Sequence, residues 1–262
     1  SLGSNVGYGA AANHGWDGLD GDVCIVLNPD AKLQPNWIRR VKSILKSDTS
    51  IGVLGGKCYY PGTKVFEHAG GFLSAPRFIG AHRGKGEKDL GQYDRFGPVP
   101  YIAGSAIAIR NCTELKFDTG FFLYYEDTDV CYRSWRQGMR VCFDPELVAE
   151  HPSGSVTNEG SFDWHANFNF SRYRFVIKNL EPWDIAQLIA SESALVSDSA
   201  ATREESALAH SAKRLLSELS DTLAMRAREG GLALPAELRD DLVRMLEDRA
   251  KVSGLFSDNV TQ

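Results

Sequence analysis

Three short groups of polar residues carry the chemistry available to this sequence. Asn28-Pro29-Asp30 directly follows the apolar run Val23–Leu27. A carboxylate just past the end of a buried strand stands where open α/β sheets bind ligands, and it can hold a divalent cation against a diphosphate. The same residues are good turn formers, so a plain turn is the competing reading. Glu126-Asp127-Thr128-Asp129 opens a segment of helical pattern. Acids favour the first turn of a helix, which explains one or two of these carboxylates as caps. Three carboxylates exceed that need. Crowding raises their proton affinity while the helix dipole lowers it, and a net rise suits a general base near neutral pH. His151 follows a short apolar stretch and precedes Pro152-Ser153-Gly154-Ser155. Its imidazole can complete a metal site, and the loop amides and hydroxyls can bind phosphate. A lone histidine is more often structural, and that reading is the default for His14, His68, His82, His165 and His210.

The elements around these groups follow from patterning. Asn5–Leu19, rich in Ala and Gly, predicts a short helix. Its run Asn5-Val-Gly-Tyr-Gly-Ala-Ala-Ala-Asn13 superficially suggests a phosphate loop, but it matches no dinucleotide or Walker pattern. Val23–Leu27, continuous and β-branched, predicts a strand buried on both faces. Pro35 suits the first position of a helix, and Trp37, Ile38, Val41, Ile44 and Leu45 recur at helical spacing. Ile51–Tyr60 predicts a strand broken at Gly55-Gly56, Phe66–Phe78 a hairpin, and Gly80–Pro98 a mobile charged loop. Tyr101–Arg110 predicts a strand kinked at Gly104-Ser105. Phe121–Tyr125 reads as a strand running into the acidic helix, which Gly138 closes. Val141–Phe143 and Leu147–Ala149 predict two short strands, and Phe162–Leu180 a helix. Alternating strands and helices argue for an α/β layered fold. Beyond Pro182 three amphipathic helices follow, carried by Ile185 to Val196, by Leu208 to Leu223, and by Leu238 to Leu246 after Gly230-Gly231 and Pro235.

The chain has 262 residues and a formal net charge of −5, from 29 Lys+Arg and 34 Asp+Glu. That balance argues against a general nucleic-acid binder. Apolar runs reach only about five residues against the roughly 20 of a spanning helix, and no secretory leader pattern opens the chain. Cys24, Cys58, Cys112, Cys131 and Cys142 form no CxxC pair, which suggests free buried thiols in a reducing compartment.

Taken in order, the series Asn5-x-Gly7-Tyr8-Gly9 to Asn13-x-Gly15, Leu27-Asn28-Pro29-Asp30, Phe117-Asp118-x-Gly120-Phe121-Phe122-Leu-Tyr-Tyr-Glu126-Asp127-x-Asp129-x-x-x-Arg133 and His151-x-x-Gly154-Ser155 resembles family 2 glycosyltransferases. The nearest subgroup is the rhamnosyltransferase-like and galactofuranosyltransferase-like enzymes. The resemblance covers residues 4–180. It implies an α/β, GT-A-type (Rossmann-like) mixed sheet flanked by helices over 1–180, with an all-helical C-terminal appendage over 181–262. It also implies a nucleotide-diphosphate sugar donor, Mn²⁺ or Mg²⁺, and inversion at the anomeric carbon. Carried over residue by residue, Asp30 and His151 become metal ligands and Asp127 the catalytic base. Glu126 positions acceptor or base. Asn5 and Asn13 lie along the nucleotide, Asn28 beside the metal site, and Gly104 and Ser105 near the donor sugar. Asn28 stands where many relatives have Asp, which leaves Asp30 and His151 to carry more of the site. The family begins with a β-α-β nucleotide-base segment ahead of the position of Asn5, so the sequence is expected to be a fragment of a longer protein.

The resemblance further implies a glycan or lipid-linked acceptor in cell-surface polysaccharide synthesis, and a cytoplasmic enzyme at the inner face of the membrane. Residues 181–262 are expected to pack on the domain or on one another; the alternative is a peripheral membrane or homo-oligomer contact, though Glu204, Glu205, Glu218 and Asp221 dilute the cations Arg203, Lys213, Arg214, Arg226 and Arg228. Two other readings compete. A degenerate, non-catalytic domain would bind nucleotide sugars or a partner. A sugar nucleotidyltransferase would need a Gly-rich basic loop after its first strand, and none is visible.

Overall fold

The computed structural model describes residues 2–152, 158–195 and 202–251. These fall into two compact units, one of residues 1–73 and 80–155, the other of 74–79 and 156–262. The helix Phe162–Asn179, expected in the first domain, falls in the second unit, where it packs on the helix Arg203–Arg228.

In chain order the first unit holds α1 (Tyr8–Trp16), β1 (Val23–Leu27), β2 (Lys32–Leu33), α2 (Trp37–Ser47), β3 (Ile51–Tyr59) and β4 (Phe66–His68). A hairpin of β5 (Gly71–Ser74) and β6 (Ile79–His82) follows, its tip belonging to the second unit. Then come β7 (Gly97–Pro98), β8 (Ala106–Arg110), α3 (Glu126–Arg136) and β9 (Arg140–Glu150). The sheet runs β1-β8-β3-β9-β2, with β4 on β3 and β7 on β9. It is mixed: β3 and β9 are parallel, and β8 runs antiparallel to both β1 and β3. The ends of β1, β3 and β9 and the start of β8 therefore meet at one edge.

Two apolar layers flank the sheet. Trp37, Val41 and Leu45, four residues apart on α2, close over Ile51, Leu54, Ala108 and Leu147 on one face. Trp16 of α1 and Val130 and Cys131 of α3 close over Val53, Ile107, Val141 and Phe143 on the other. The nine residues of β3 are all buried. Gly55-Gly56 does not break this strand. The register to β9 shifts after Gly56, where a Cβ would stand 1.9 Å from the Leu147 carbonyl oxygen. The same shift joins Val141–Phe143 and Leu147–Ala149 into the single strand β9.

Other expectations change with the structure. β1 is not buried on both faces; only Cys24 is fully buried and Leu27 is 40% exposed, because β8 is the one strand paired with it among the described residues. The hairpin lies at 71–82 rather than 66–78. Pro35 precedes the cap residue Asn36 instead of opening the helix. Residues 80–98 are tied down: the buried Lys57 ammonium reaches Asp89 at 2.6 Å and also Asp94, and Tyr59 donates to Asp89. Phe121–Tyr125 is no strand. Tyr124 and Tyr125 are left-handed, with φ 69° and 63°. All five cysteines are free thiols.

The second unit contains α4 (Phe162–Asn179), α5 (Pro182–Ser193), α6 (Arg203–Arg228) and α7 (Ala236–Lys251). Ser161 caps α4, and reciprocal capping boxes start α5 at Glu181/Asp184 and α6 at Thr202/Glu205. Val196, expected in the first tail helix, lies outside the described residues. Glu192 is fully buried at the centre of this unit. Its Oε1 meets Arg77 Nε at 2.8 Å and Arg172 Nη2 at 3.0 Å, and its Oε2 meets Tyr173 Oη at 2.8 Å and Arg249 Nη2 at 3.1 Å. Arg226 is buried too, donating to the carbonyls of Ile177, Leu180 and Leu232. No helix among the described residues is long and apolar enough to cross a membrane.

Candidate active site

The turn after β1 and the residue after β9 bring Asp30 and His151 together. Asp30 Oδ1 lies 3.4 Å from His151 Nε2, and Asn28 Nδ2 lies 3.1 Å from the same nitrogen. The backbone fixes both sides. Ala31 N–H closes the turn onto Asn28 C=O at 3.0 Å, and His151 N–H donates to Tyr59 C=O at 2.9 Å.

A continuous strip of hydrogen bonds leads from there to the acidic helix start. Asn28 N–H donates to Ser105 C=O at 3.1 Å. The neighbouring Gly104 N–H donates to Asp127 Oδ2 at 2.8 Å. Asp127 Oδ1 accepts from Thr128 N–H at 2.6 Å, and Gly104 C=O accepts from Tyr8 Oη at 2.6 Å. The strip thus joins Asp30, His151, Asn28, Ser105, Gly104 and Asp127 along the edge where β1, β8 and β9 meet.

The two leading carboxyls have different environments. Glu126 is 5% exposed, and its Oε2 is buried with no hydrogen-bond partner. Burial, then the charge of Asp127, push its proton affinity well above the usual carboxylate range. Burial raises Asp127 as well, but the Gly104 N–H, the charge of His82 and Thr128 oppose it. The neutral form therefore falls on Glu126 and the ionised form on Asp127. Asp129, the third acid, is structural. It pairs with Arg133 Nε at 2.7 Å inside α3, and Arg133 donates to backbone carbonyls at Glu114 and Lys116.

Not every expected residue reaches this strip. Asn13 spends its amide on Phe117, donating to its carbonyl at 2.7 Å and accepting from its N–H at 2.9 Å, which docks α1 on the neighbouring loop. Asn5 accepts from Gly7 N–H at 3.1 Å and is exposed. Gly154 and Ser155 lie outside the described residues.

Three further residues sit beside the strip. His68 Nε2 lies 3.0 Å from Ser105 Oγ and 3.6 Å from Glu67 Oε2, while Glu67 Oε1 lies 3.3 Å from His82 Nδ1. Burial works against a charge on His82, but Glu67 overcomes it and holds the imidazole above its ordinary range. Burial pushes His68 down to about 4. Against its own burial, Glu67 is held down to about 2 by His68, His82 and His151. The structural default for His68 and His82 misses this network. The adjacent Glu67-His68 pair was the available signal, and its meaning depends on strand irregularity that residue types do not reveal.

Asp30, His151 and Asn28 fit a divalent cation. One carboxylate, one imidazole nitrogen and one amide whose oxygen reaches the same point when turned over suit Mg²⁺ or Mn²⁺. The Asp30–His151 separation is long for a hydrogen bond and close to that of two ligands on one ion.

No protein-family model matches the chain. The low-salt glycan biosynthesis hexosyltransferase Agl10 of Haloferax volcanii is 26% identical over 190 residues, 68% of this chain and 58% of that protein. Among solved structures, GalNAc-T7 with UDP, GalNAc and Mn²⁺ aligns over 95% of this chain and 45% of its own, with a TM-score of 0.52 and 15% identity. The mannosyltransferase PcManGT of Pyrobaculum calidifontis, with GDP-Man and Mn²⁺, aligns over 94% of this chain and 66% of its own, with a TM-score of 0.41 and 16% identity. The chain thus spans a little over half the length of the curated relative. Its likeness to GalNAc-T7, together with the mixed sheet between helical layers, shows the GT-A glycosyltransferase fold.

Proposed function

We propose that this chain carries the catalytic core of a metal-dependent, inverting glycosyltransferase that moves a sugar from a nucleoside-diphosphate donor to a hydroxyl. The convergence of Asp30, His151 and Asp127 on one hydrogen-bonded strip carries this reading. The ligands of GalNAc-T7, UDP and Mn²⁺, support a nucleotide sugar and a divalent cation here. The role of the Haloferax relative in glycan biosynthesis supports a glycan or lipid-linked acceptor.

A cation held by Asp30, His151 and the Asn28 oxygen would supply positive charge to the diphosphate oxygens of the leaving group. The remaining chemistry belongs to the chain. Gly104 N–H and Thr128 N–H hold both oxygens of Asp127, so the carboxylate is fixed in direction. As the acceptor oxygen bonds to the anomeric carbon, Asp127 takes its proton and the bond from that carbon to the diphosphate breaks. One base and one displacement invert the configuration. Glu126, kept neutral by burial, leaves Asp127 as the ionised member of the pair. His82, charged by its contact with Glu67, favours that ionisation.

The test is Asp127→Asn assayed with uridine-, guanosine- and thymidine-diphosphate sugars and Mn²⁺. Donor binding is retained, and turnover falls by a factor on the order of 10² to 10⁴. Full turnover in this variant removes Asp127 from the role.

A further inference from the structure

A second set of donors lies beside the strip; Cys58 and His68 have no part in the transfer chemistry, and Glu67 enters it only through its other oxygen, by way of His82. Cys58, Glu67 and His68 are 1%, 3% and 1% exposed. One ligand atom from each lies within 4.8 Å of the others. Their meeting is built into the backbone. Cys58 pairs with His68 and Tyr59 with Phe66, so Glu67 is the extra residue of a β-bulge. Adjacent strand residues normally point to opposite faces. The bulge turns Glu67 to the side of His68, as bulges beside functional sites do.

The two oxygens of Glu67 have separate surroundings. Oε1 is engaged by His82 at 3.3 Å. Oε2 is buried, has no hydrogen-bond partner, and stands 3.6 Å from His68 Nε2. That spacing is too long for a hydrogen bond. It is close to the edge of a tetrahedron of nitrogen and oxygen ligands about an ion with bonds of roughly 2.0–2.2 Å. A carboxylate oxygen buried without a hydrogen-bond partner is costly, and a cation would satisfy it. Ser105 Oγ closes the group, 3.0 Å from His68 Nε2 and 3.9 Å from Cys58 Sγ.

We infer that Cys58, Glu67 and His68 form a buried site for a borderline divalent cation of the Zn²⁺ type, separate from the Asp30–His151 site. A thiolate, an imidazole and a carboxylate select Zn²⁺ over Mg²⁺ or Mn²⁺. Binding breaks the Cys58 S–H bond, the proton leaves to solvent, and the Sγ lone pair forms the metal bond. His68 binds through Nε2 with its proton on Nδ1, giving up a long contact of 3.4 Å from Gly70 N–H. His82 stays on Oε1 as the outer partner that orients the carboxylate. The ion clamps β3 to β4 and, through Ser105, braces the turn that presents Gly104 to Asp127.

The experiment titrates metal-stripped full chain with Co²⁺ and reads absorption. About one equivalent produces a thiolate-to-cobalt charge-transfer band in the near ultraviolet, and stoichiometric Zn²⁺ bleaches it. Asp30→Asn keeps the band and Cys58→Ser abolishes it. Absence of the band, or its survival in Cys58→Ser, overturns the assignment. Because a Cys58 variant can fail to fold, X-ray absorption of the zinc-loaded unmutated chain provides a second measurement. One sulfur in the zinc shell supports the site, and a sulfur-free shell overturns it. Neither readout depends on sugar transfer, so failure here is distinguishable from failure of the proposed function.

Discussion

Glu192→Ala tests how the helical unit is held together. Glu192 is the one carboxylate on which Arg77, Arg172 and Arg249 converge, and Arg172 and Arg249 are 0% and 3% exposed. Removing it takes from the buried Arg172 and Arg249 the carboxylate they share and leaves Tyr173 Oη without its acceptor. Breaking a buried pair by deleting one partner costs about 3–5 kcal/mol. The lost Tyr173 bond adds about 1 kcal/mol. A loss of about 4–6 kcal/mol in a chain of this size lowers Tm by roughly 10–20 °C. Far-UV circular dichroism melts at pH 7 would read it. Arg77 is more exposed, so Arg77→Ala loses only about 1 kcal/mol. The pH dependence has a definite sign. Burial opposes the charge of Glu192, but Arg172 and Arg77 hold its proton affinity below the usual range. Its contribution is therefore complete above a normal Glu value of about 4.3 and disappears as pH falls below it. The substituted chain then has a flatter stability profile at acid pH. A Tm within about 2 °C of the unmutated chain would refute the reasoning that three cations depend on this carboxylate.

Gly56→Ala drives a methyl group to 1.9 Å from the Leu147 carbonyl oxygen, so β3 and β9 must separate. The expected loss is about 3 kcal/mol, read as a fall in urea midpoint, whereas Gly97→Ala has open space and changes stability by less than about 0.5 kcal/mol. Burial raises the proton affinity of Asp127, so the acid limb of turnover lies above the ordinary Asp value of about 3.9. Activity is lost as pH falls through that limb. His82→Gln removes a charge that favours ionised Asp127 and shifts the limb upward in a pH–rate profile; an unmoved limb excludes that coupling. Liposome co-sedimentation with anionic vesicles should be weak, because Arg226 and Arg249 are buried among carbonyls and Glu192 and do not reach a lipid surface.

Much of the fold was legible where periodicity and burial agree. Trp37, Val41 and Leu45 mark the buried stripe of α2, and Gly230-Gly231 with Pro235 separates α6 from α7. The site groups were legible because Asn28-Pro29-Asp30, Glu126-Asp127 and His151 each follow a recognisable element boundary. The partner of α4 was not legible, since an amphipathic stripe states that a face is buried and not against what. The full burial expected for β1 is not met among the described residues, where β8 is the one strand paired with it. Glu67 was invisible because one extra residue in the β3–β4 ladder reverses the direction of a side chain. Tyr124 and Tyr125 carry strand-forming side chains into a left-handed corner that their types do not foretell.

That corner has a bearing on engineering. Each left-handed non-glycine residue carries a conformational penalty of roughly 1–2 kcal/mol, and two stand consecutively before Glu126. Tyr125 is retained by its buried ring and by the Gly80 N–H donated to its hydroxyl at 2.8 Å. A stabilisation campaign guided by backbone preference would select glycine or asparagine here and relieve the penalty. The same change would unpin the first turn of α3 and let the Asp127 carboxylate wander. With Asp127 as the proposed base, hardiness and turnover pull in opposite directions at this corner.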